Sequence, residues 1–159
     1  MANLIYLQLD GKLQGLISAG CSSEESIGNK AQLIHYDQIM VMGLTHSITR
    51  EQNVNHQSIT IIKPLDKSSP LLGNAISENE SLTCEFSFYR TTKAGMNECY
   101  YKVKLINARI AAIHLQVPHT LNDSEGQPEE SIELTYESIS WEHCIAGTSA
   151  YSLWSDRIF

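Results

Sequence analysis

Six histidines and four cysteines are the residues of this chain with the widest reach in chemistry, and their spacing gives none of it a foothold. His46 and His56 flank a polar run, while His114, His119 and His143 fall in or beside late predicted strands. No His-x-His pair or His-Glu-x-x-His group joins them as metal ligands are joined on one strand or one helix face, so they read as structural or surface groups. Cys21, Cys84, Cys99 and Cys144 are far apart and form no Cys-x-x-Cys pair, so free, mostly buried thiols are expected. Cys84 and Cys144 lie on predicted strands rather than at a helix N-terminus, where a thiol is activated, and there is no Gly-x-Ser-x-Gly elbow. His143 and Cys144 are neighbours, but strand alternation turns them to opposite faces, which counts against a dyad. The carboxylate pairs Glu24-Glu25 and Glu129-Glu130 fall in polar segments and read as solvated. No enzyme activity, metal or cofactor is expected.

Composition narrows the partners. A chain of 159 residues suits one domain that buries roughly two-thirds of its unfolded surface. The net charge of -7, without a block of Lys or Arg, argues against a nucleic-acid surface or an anionic membrane and leaves a protein as the expected partner. No apolar run reaches the ~20 residues of a membrane span, and Met1 to Gly20 lacks a basic start followed by a long apolar stretch. Cytosolic synthesis without a signal peptide is the expectation.

What would position functional residues is a set of strands with one abrupt joint. Ile59, Ile61 and Ile62 are β-branched and predict a strand that Pro64 must end, since proline supplies no ladder donor. Ser68 or Ser69 then caps a helix, with Pro70 suited to its first turn. Leu71, Leu72, Ala75 and Ile76 follow at helical spacing. Lys63, Asp66 and Lys67 read as turn and surface charges of this joint.

Upstream, Ile5, Leu7 and Leu9 predict a strand ending at the turn dipeptide Asp10-Gly11, and residues 18–30 read as loop with short strand pieces. From Ile39 one strand is expected, with Met40, Met42, Leu44, His46 and Ile48 on one face. The polar run 51–57 reads as a surface loop or a docking segment. Downstream, Leu82, Cys84, Phe86 and Phe88 alternate with polar residues, and residues 93–97 supply a turn. Apolar parity then changes along Tyr100 to Val117, a span of over 50 Å at ~3.3 Å per residue, so a bulge is predicted. A second change of parity separates Ile132, Leu134 and Tyr136 from Ile139, Trp141 and His143. Tyr151, Leu153 and Trp154 either complete the sheet or offer apolar area to a partner. Together these elements predict a mainly β fold: a small antiparallel barrel or closed sandwich with one short helix packed outside and an extended projecting loop.

The run Lys63 to Leu72, with Val54-Asn55-His56 before it, resembles the Hcp family of type VI secretion tube proteins. The opening Ile5 to Gly11, the segment Gln14 to Ser22, Ser138 to Trp141 and Ala146 to Ser149 carry the same resemblance, which therefore runs nearly end to end. It implies six copies closing head to tail into a ring and stacked rings forming a hollow tube. It also implies a VgrG-type spike, a contractile sheath, effector proteins as cargo, and secretion through the type VI apparatus. It places Gln52, Asn53, Val54, Asn55 and His56 at subunit contacts, and Asp123 and Glu125 of the 118–128 loop at contacts between stacked rings. Pro64, Asp66, Ser68, Ser69 and Pro70 form the helix joint. One domain over residues 1–159, with no fused C-terminal effector, is expected. A small-molecule-binding β-barrel carrier is the alternative.

Overall fold

The computed structural model describes residues 3–122 and 126–155. The chain runs through β1 (Leu4–Gly11), β2 (Gly15–Leu16), α1 (Glu24–Ile27), β3 (Ile39–Val41), β4 (Gly43–Thr45), β5 (Ile48–Arg50), β6 (Val54–His56), β7 (Ile59–Pro64) and α2 (Ser69–Ser77). It continues through β8 (Leu82–Thr91), β9 (Asn97–Gln116), β10 (Glu129–Thr135), β11 (Ser138–His143) and β12 (Thr148–Leu153). All pairings are antiparallel, and the main sheet runs β1-β8-β9-β10-β7-β4.

The predicted mainly β, barrel-like architecture is what forms, and the segment 39–45 draws its two ends together. Its first half pairs with β1 (Ile39↔Leu7) and its second half with β7 (Thr45↔Thr60), with the Met42 N–H donating to the Ile62 carbonyl at 2.7 Å. The ladder breaks at Met42, so the sheet wraps the core without becoming a continuous closed barrel. Serving two partners also corrects the expectation of one strand from Ile39 to Ile48. Ile39 and Val41 face the core, Met42 is exposed, and Ile48 belongs to a separate pair, β5-β6.

The long strand carries the predicted irregularity three times. Between Cys84 and Leu82 the β8 partner advances two residues while β9 advances three, from Leu105 to Ala108. One-residue excesses recur opposite Phe88/Tyr89 and opposite Glu133/Leu134. At the first of these Asn107 takes a left-handed backbone (φ 51), which asparagine tolerates better than most residues, and Ser81 Oγ donates to its Oδ1. The bends let one strand serve β8 and β11 along residues 97–108 and β10 along 109–116. The second predicted parity switch falls at Tyr136-Glu137, where β10 gives way to β11. The core that results includes Leu9, Phe86, Leu105, Ile132 and Ile139, with Leu72 and Ala75 of α2 docked on it.

Several local expectations change. Asp10 and Gly11 are the last residues of β1, and the turn follows at residues 12–14. Glycine is required at position 11 because a Cβ there would lie 2.0 Å from Glu80 Oε2. That buried carboxylate accepts the Leu13 and Gln14 N–H groups, each at 2.9 Å, and Gln14 Nε2 at 2.8 Å, pinning the turn to the end of α2. Burial alone would raise the Glu80 carboxyl, but these donors outweigh it and hold it below the ordinary carboxylate range. Residues 18–30 hold no strand pieces; Glu24–Ile27 forms a turn of helix with acidic residues at its N-terminus, where they suit the dipole, so the chain has a second short helix.

The joint differs most. Lys63 is fully buried, not a surface charge: its Nζ donates to Glu130 Oε1 (2.8 Å), the Pro64 carbonyl (3.1 Å) and Ser69 Oγ (3.2 Å), and it forms an ion pair with Asp66 Oδ1 at 3.1 Å. Glu130, read as solvated, is buried opposite Lys63 in the β7-β10 register and also accepts from Ser69 Oγ. Parity explains both, since Lys63 shares the inward face of Ile59 and Ile61, and Glu130 that of Ile132 and Leu134. Neither Ser68 nor Ser69 makes the expected cap to the helix. Instead Asp66 Oδ1 accepts the Ser68 N–H at 2.9 Å and its hydroxyl, while the Ser69 hydroxyl accepts the Asp66 N–H at 3.1 Å; Pro70 sits in the first turn as predicted.

Two outcomes follow from these buried charges. Lys63→Met strands Glu130 and Asp66 as unpaired buried charges and should cost about 3–5 kcal/mol, while a Lys63→Met/Glu130→Leu double variant should recover a good part of that, as read from urea unfolding midpoints. Glu80 contributes in its ionised form: its stabilisation is complete above the unfolded value of about 4.3 and is lost as pH falls through the depressed folded value. Glu80→Gln should therefore cost about 1–2 kcal/mol at neutral pH and much less at pH ~3, measured by denaturation across that range.

Candidate assembly interface

The polar run 51–57 is a surface loop only at residues 51–53; residues 54–56 form a short strand that lies outside the main sheet. Residues Ile48–Arg50 and Val54–His56 pair in register (Ile48↔His56, Arg50↔Val54), and the two strands form a sheet of their own around a tip at residues 51–53. Gln52, Asn53 and Asn55 are exposed and Val54 is half-buried. With Thr49, Arg50 and Glu51 the three polar residues outline an open, shallow hollow on the hairpin. A polar hairpin that contributes little to its own core is suited to lie against another surface, because its exposed amides keep donors and acceptors ready for one.

Its base is built more firmly than its tip. The Gln57 N–H donates to the Ser47 carbonyl at 3.2 Å, closing the neck. His46 enters the hairpin and His56 leaves it, and both rings reach the same phenol: Tyr136 Oη lies 2.9 Å from His46 Nε2 and 2.7 Å from His56 Nδ1. One hydroxyl carries one proton, so it donates to one ring and accepts from the other. His56 Nε2 lies 2.9 Å from Ser152 Oγ, and the His56 ring stacks on Trp154 (5.9 Å, 22°), which meets Tyr136 edge-on at 4.8 Å. Burial, and then His56, hold the His46 imidazole below its usual range; burial pushes the Tyr136 phenol up to about 12. Both therefore stay neutral at neutral pH, and the cluster holds the hairpin by shape and hydrogen bonds.

Of the residues expected at subunit contacts, Gln52, Asn53 and Asn55 share an exposed face, whereas His56 is turned inward and ties the hairpin to β12 and the 136–137 corner. Asp123 and Glu125 lie outside the described residues. The joint residues Pro64, Asp66, Ser68 and Ser69 gather around Lys63 at the far end of β7, about 20 Å from the hairpin at 3.3 Å per residue. The C-terminal alternation resolves both ways: β12 extends the sheet on β11 and Trp154 packs inward, but Tyr151 is 76% exposed. Sequence reading missed Tyr136 and Trp154 as hairpin anchors, although Tyr136 shares the inward parity of Ile132 and Leu134. It also missed His35, buried and stacked 3.7 Å from the Tyr6 ring.

The remaining reactive groups are dispersed. His114 and His119 are exposed on β9 and beyond it, and His143 Nδ1 accepts the Ala146 N–H at 2.9 Å. Among the described residues no three His, Cys, Asp or Glu side chains gather as a metal site would need. All four cysteines are free thiols; Cys21 and Cys84 are buried, Cys99 is half-buried and Cys144 is exposed, so burial is less general than expected. Burial, then the Asp66 carboxylate, push the Cys21 thiol up to about 11, and burial raises Cys84 further.

Comparison with known proteins places this geometry. The family described as "Type VI secretion system effector, Hcp" matches residues 6–143. The chain is 36% identical to the "Major exported protein" of Pseudomonas aeruginosa over an alignment covering 99% of both. It is 40% identical over 149 residues to the "Uncharacterized protein YhhZ" of Escherichia coli K12, covering 93% of this chain but spanning only 37% of that relative. A solved structure described as "Crystal structure of Hcp protein" superposes with a TM-score of 0.91 at 32% identity, over 98% of this chain and 99% of the other. The chain belongs to the Hcp family of type VI secretion proteins, which serve as structural tube proteins rather than enzymes.

Proposed function

We propose that this chain is a subunit of a type VI inner tube, in which six copies close head to tail into a ring and rings stack into a hollow conduit. A head-to-tail contact yields a ring whenever its rotation closes, and each ring then presents two unlike faces that can stack. A VgrG-type spike caps the tube, a contractile sheath drives it outward, and effector proteins ride in its lumen. The observation that carries the reading is the match to an Hcp structure over nearly the whole of both chains, joined by a relative whose name records export. The hairpin β5-β6 supports it from within: a polar projecting arm on a firm base is what lateral contacts between rigid subunits require. We assign Gln52, Asn53, Val54 and Asn55 to that contact, with Asp123 and Glu125 at the ring-stacking face, and His56 to holding the arm.

A carrier for small molecules finds less support, because Leu9, Phe86, Leu105 and Ile132 fill the space between the strands where a ligand would lie.

Two measurements bear on the proposal. Gln52→Arg with Asn55→Arg changes only exposed positions, so the thermal midpoint should stay within ~2 °C while light scattering shows the particle falling from ring to smaller species; an unchanged particle would exclude the hairpin as a contact. In a bacterium with an active type VI apparatus, the chain should appear in the culture medium and disappear from it when the sheath is removed. Export that persists without the sheath would contradict the assignment.

A further inference from the structure

Two thiols that play no part in the core meet at one end of the β9-β11 ladder. The Cys144 N–H donates to the Tyr100 carbonyl at 2.9 Å, continuing the register His143↔Tyr101 by one step, so Cys99 lies one residue off directly opposite Cys144. Tyr100 is the extra residue of the bulge opposite Phe88/Tyr89, so it sides with Tyr101 and His143, and the next residues outward on the two strands, Cys99 and Cys144, fall on the other face together. Opposed strands with a one-residue offset separate Cα atoms by about 6 Å, inside the range a disulfide spans. Cys144 is exposed and Cys99 half-buried, so an oxidant can reach the pair, whereas Cys21 and Cys84 are shut in the core. The Lys102 ammonium, paired with Glu85 at 3.3 Å, lies on the same ladder, where Lys102 stands opposite Glu142.

We propose that Cys99 and Cys144 form a redox staple: reduced in the cytosol and closed to an intramolecular disulfide in an oxidising compartment. The oxidant is a low-molecular-weight disulfide such as oxidised glutathione. The Cys144 thiolate attacks one sulfur of that disulfide, forming a mixed disulfide and releasing one small thiolate. The Cys99 thiolate then attacks the Cys144 sulfur, the protein S–S bond forms, and the second small thiolate leaves. The two protons lost by the protein go to the two leaving thiolates, so one small disulfide is reduced and two protein thiols are oxidised. The closed bond ties the start of β9 to the end of β11, fixing the corner from which the edge strand β12 departs. The reaction does not depend on export; its timing, after the chain leaves the cytosol, rests on the function proposed above.

The full chain, incubated in oxidised glutathione and then denatured and alkylated, tests the chemistry. The mass should fall by two hydrogen atoms, two of the four thiols should remain, a non-reducing digest should yield one peptide linking Cys99 to Cys144, and the thermal midpoint should rise by about 5 °C. In Cys99→Ser the reaction should stop at a glutathione adduct on Cys144. Four alkylated thiols in the oxidised wild-type protein, or links only between chains, would overturn the staple. Chain trapped by alkylation from medium and from cell lysate tests the timing: oxidised outside and reduced inside is expected, and reduced chain in the medium would overturn that part alone. A chain that never reaches the medium would count against export and leave the glutathione result to decide the staple.

Discussion

A fully buried lysine ammonium holds the joint of this molecule together. Lys63 ends β7 facing inward, where an isolated charge would cost many kcal/mol, and the fold meets that cost with Glu130 from β10, Asp66 from the turn and Ser69 from the helix start. Two segments distant in sequence, residues 63–69 and β10, must therefore arrive together for either to be stable. The direction in which the chain leaves the sheet follows: Pro64 stops the ladder, Asp66 gathers the turn, and α2 can lie only where Ser69 reaches Glu130. Glu80 repeats the device at the other end of that helix with a carboxylate and three N–H donors, admitted by the missing side chain of Gly11.

Between these two knots the sheet takes its curvature from β9. A straight strand of its length could not remain in one small sheet, and its three extra residues turn it so that β8 and β11 flank one half and β10 the other. The same need for two partners splits 39–45 at Met42. The outcome is a body wrapped around one core, with a single hairpin anchored to it by Tyr136 and Trp154. The proposed ring would need this combination, since any slack at the base of the arm would be repeated at every contact.

Much of this was legible before the structure. The alternation in 82–88, the parity breaks near residues 106 and 137, and the Pro64/Pro70 pair read correctly because each is a local rule of backbone geometry. The buried charges did not. Lys63 and Glu130 were judged by residue type, and type favours the surface, although their parity with Ile61 and Ile132 already pointed inward. The hairpin was hidden for a different reason: its strands are three residues each, too short and too polar for periodicity to register. Its anchors lie 80 and more residues away in sequence, a relation that only the folded chain supplies. The family resemblance, by contrast, was carried by motifs spread from Ile5 to Ser149 and needed no such contacts.

The claim on which the account rests is that this body is one part of a closed ring. Native mass spectrometry of the purified chain tests it most directly. A dominant particle of six chains is the predicted result, and a monomer at every concentration examined would contradict it.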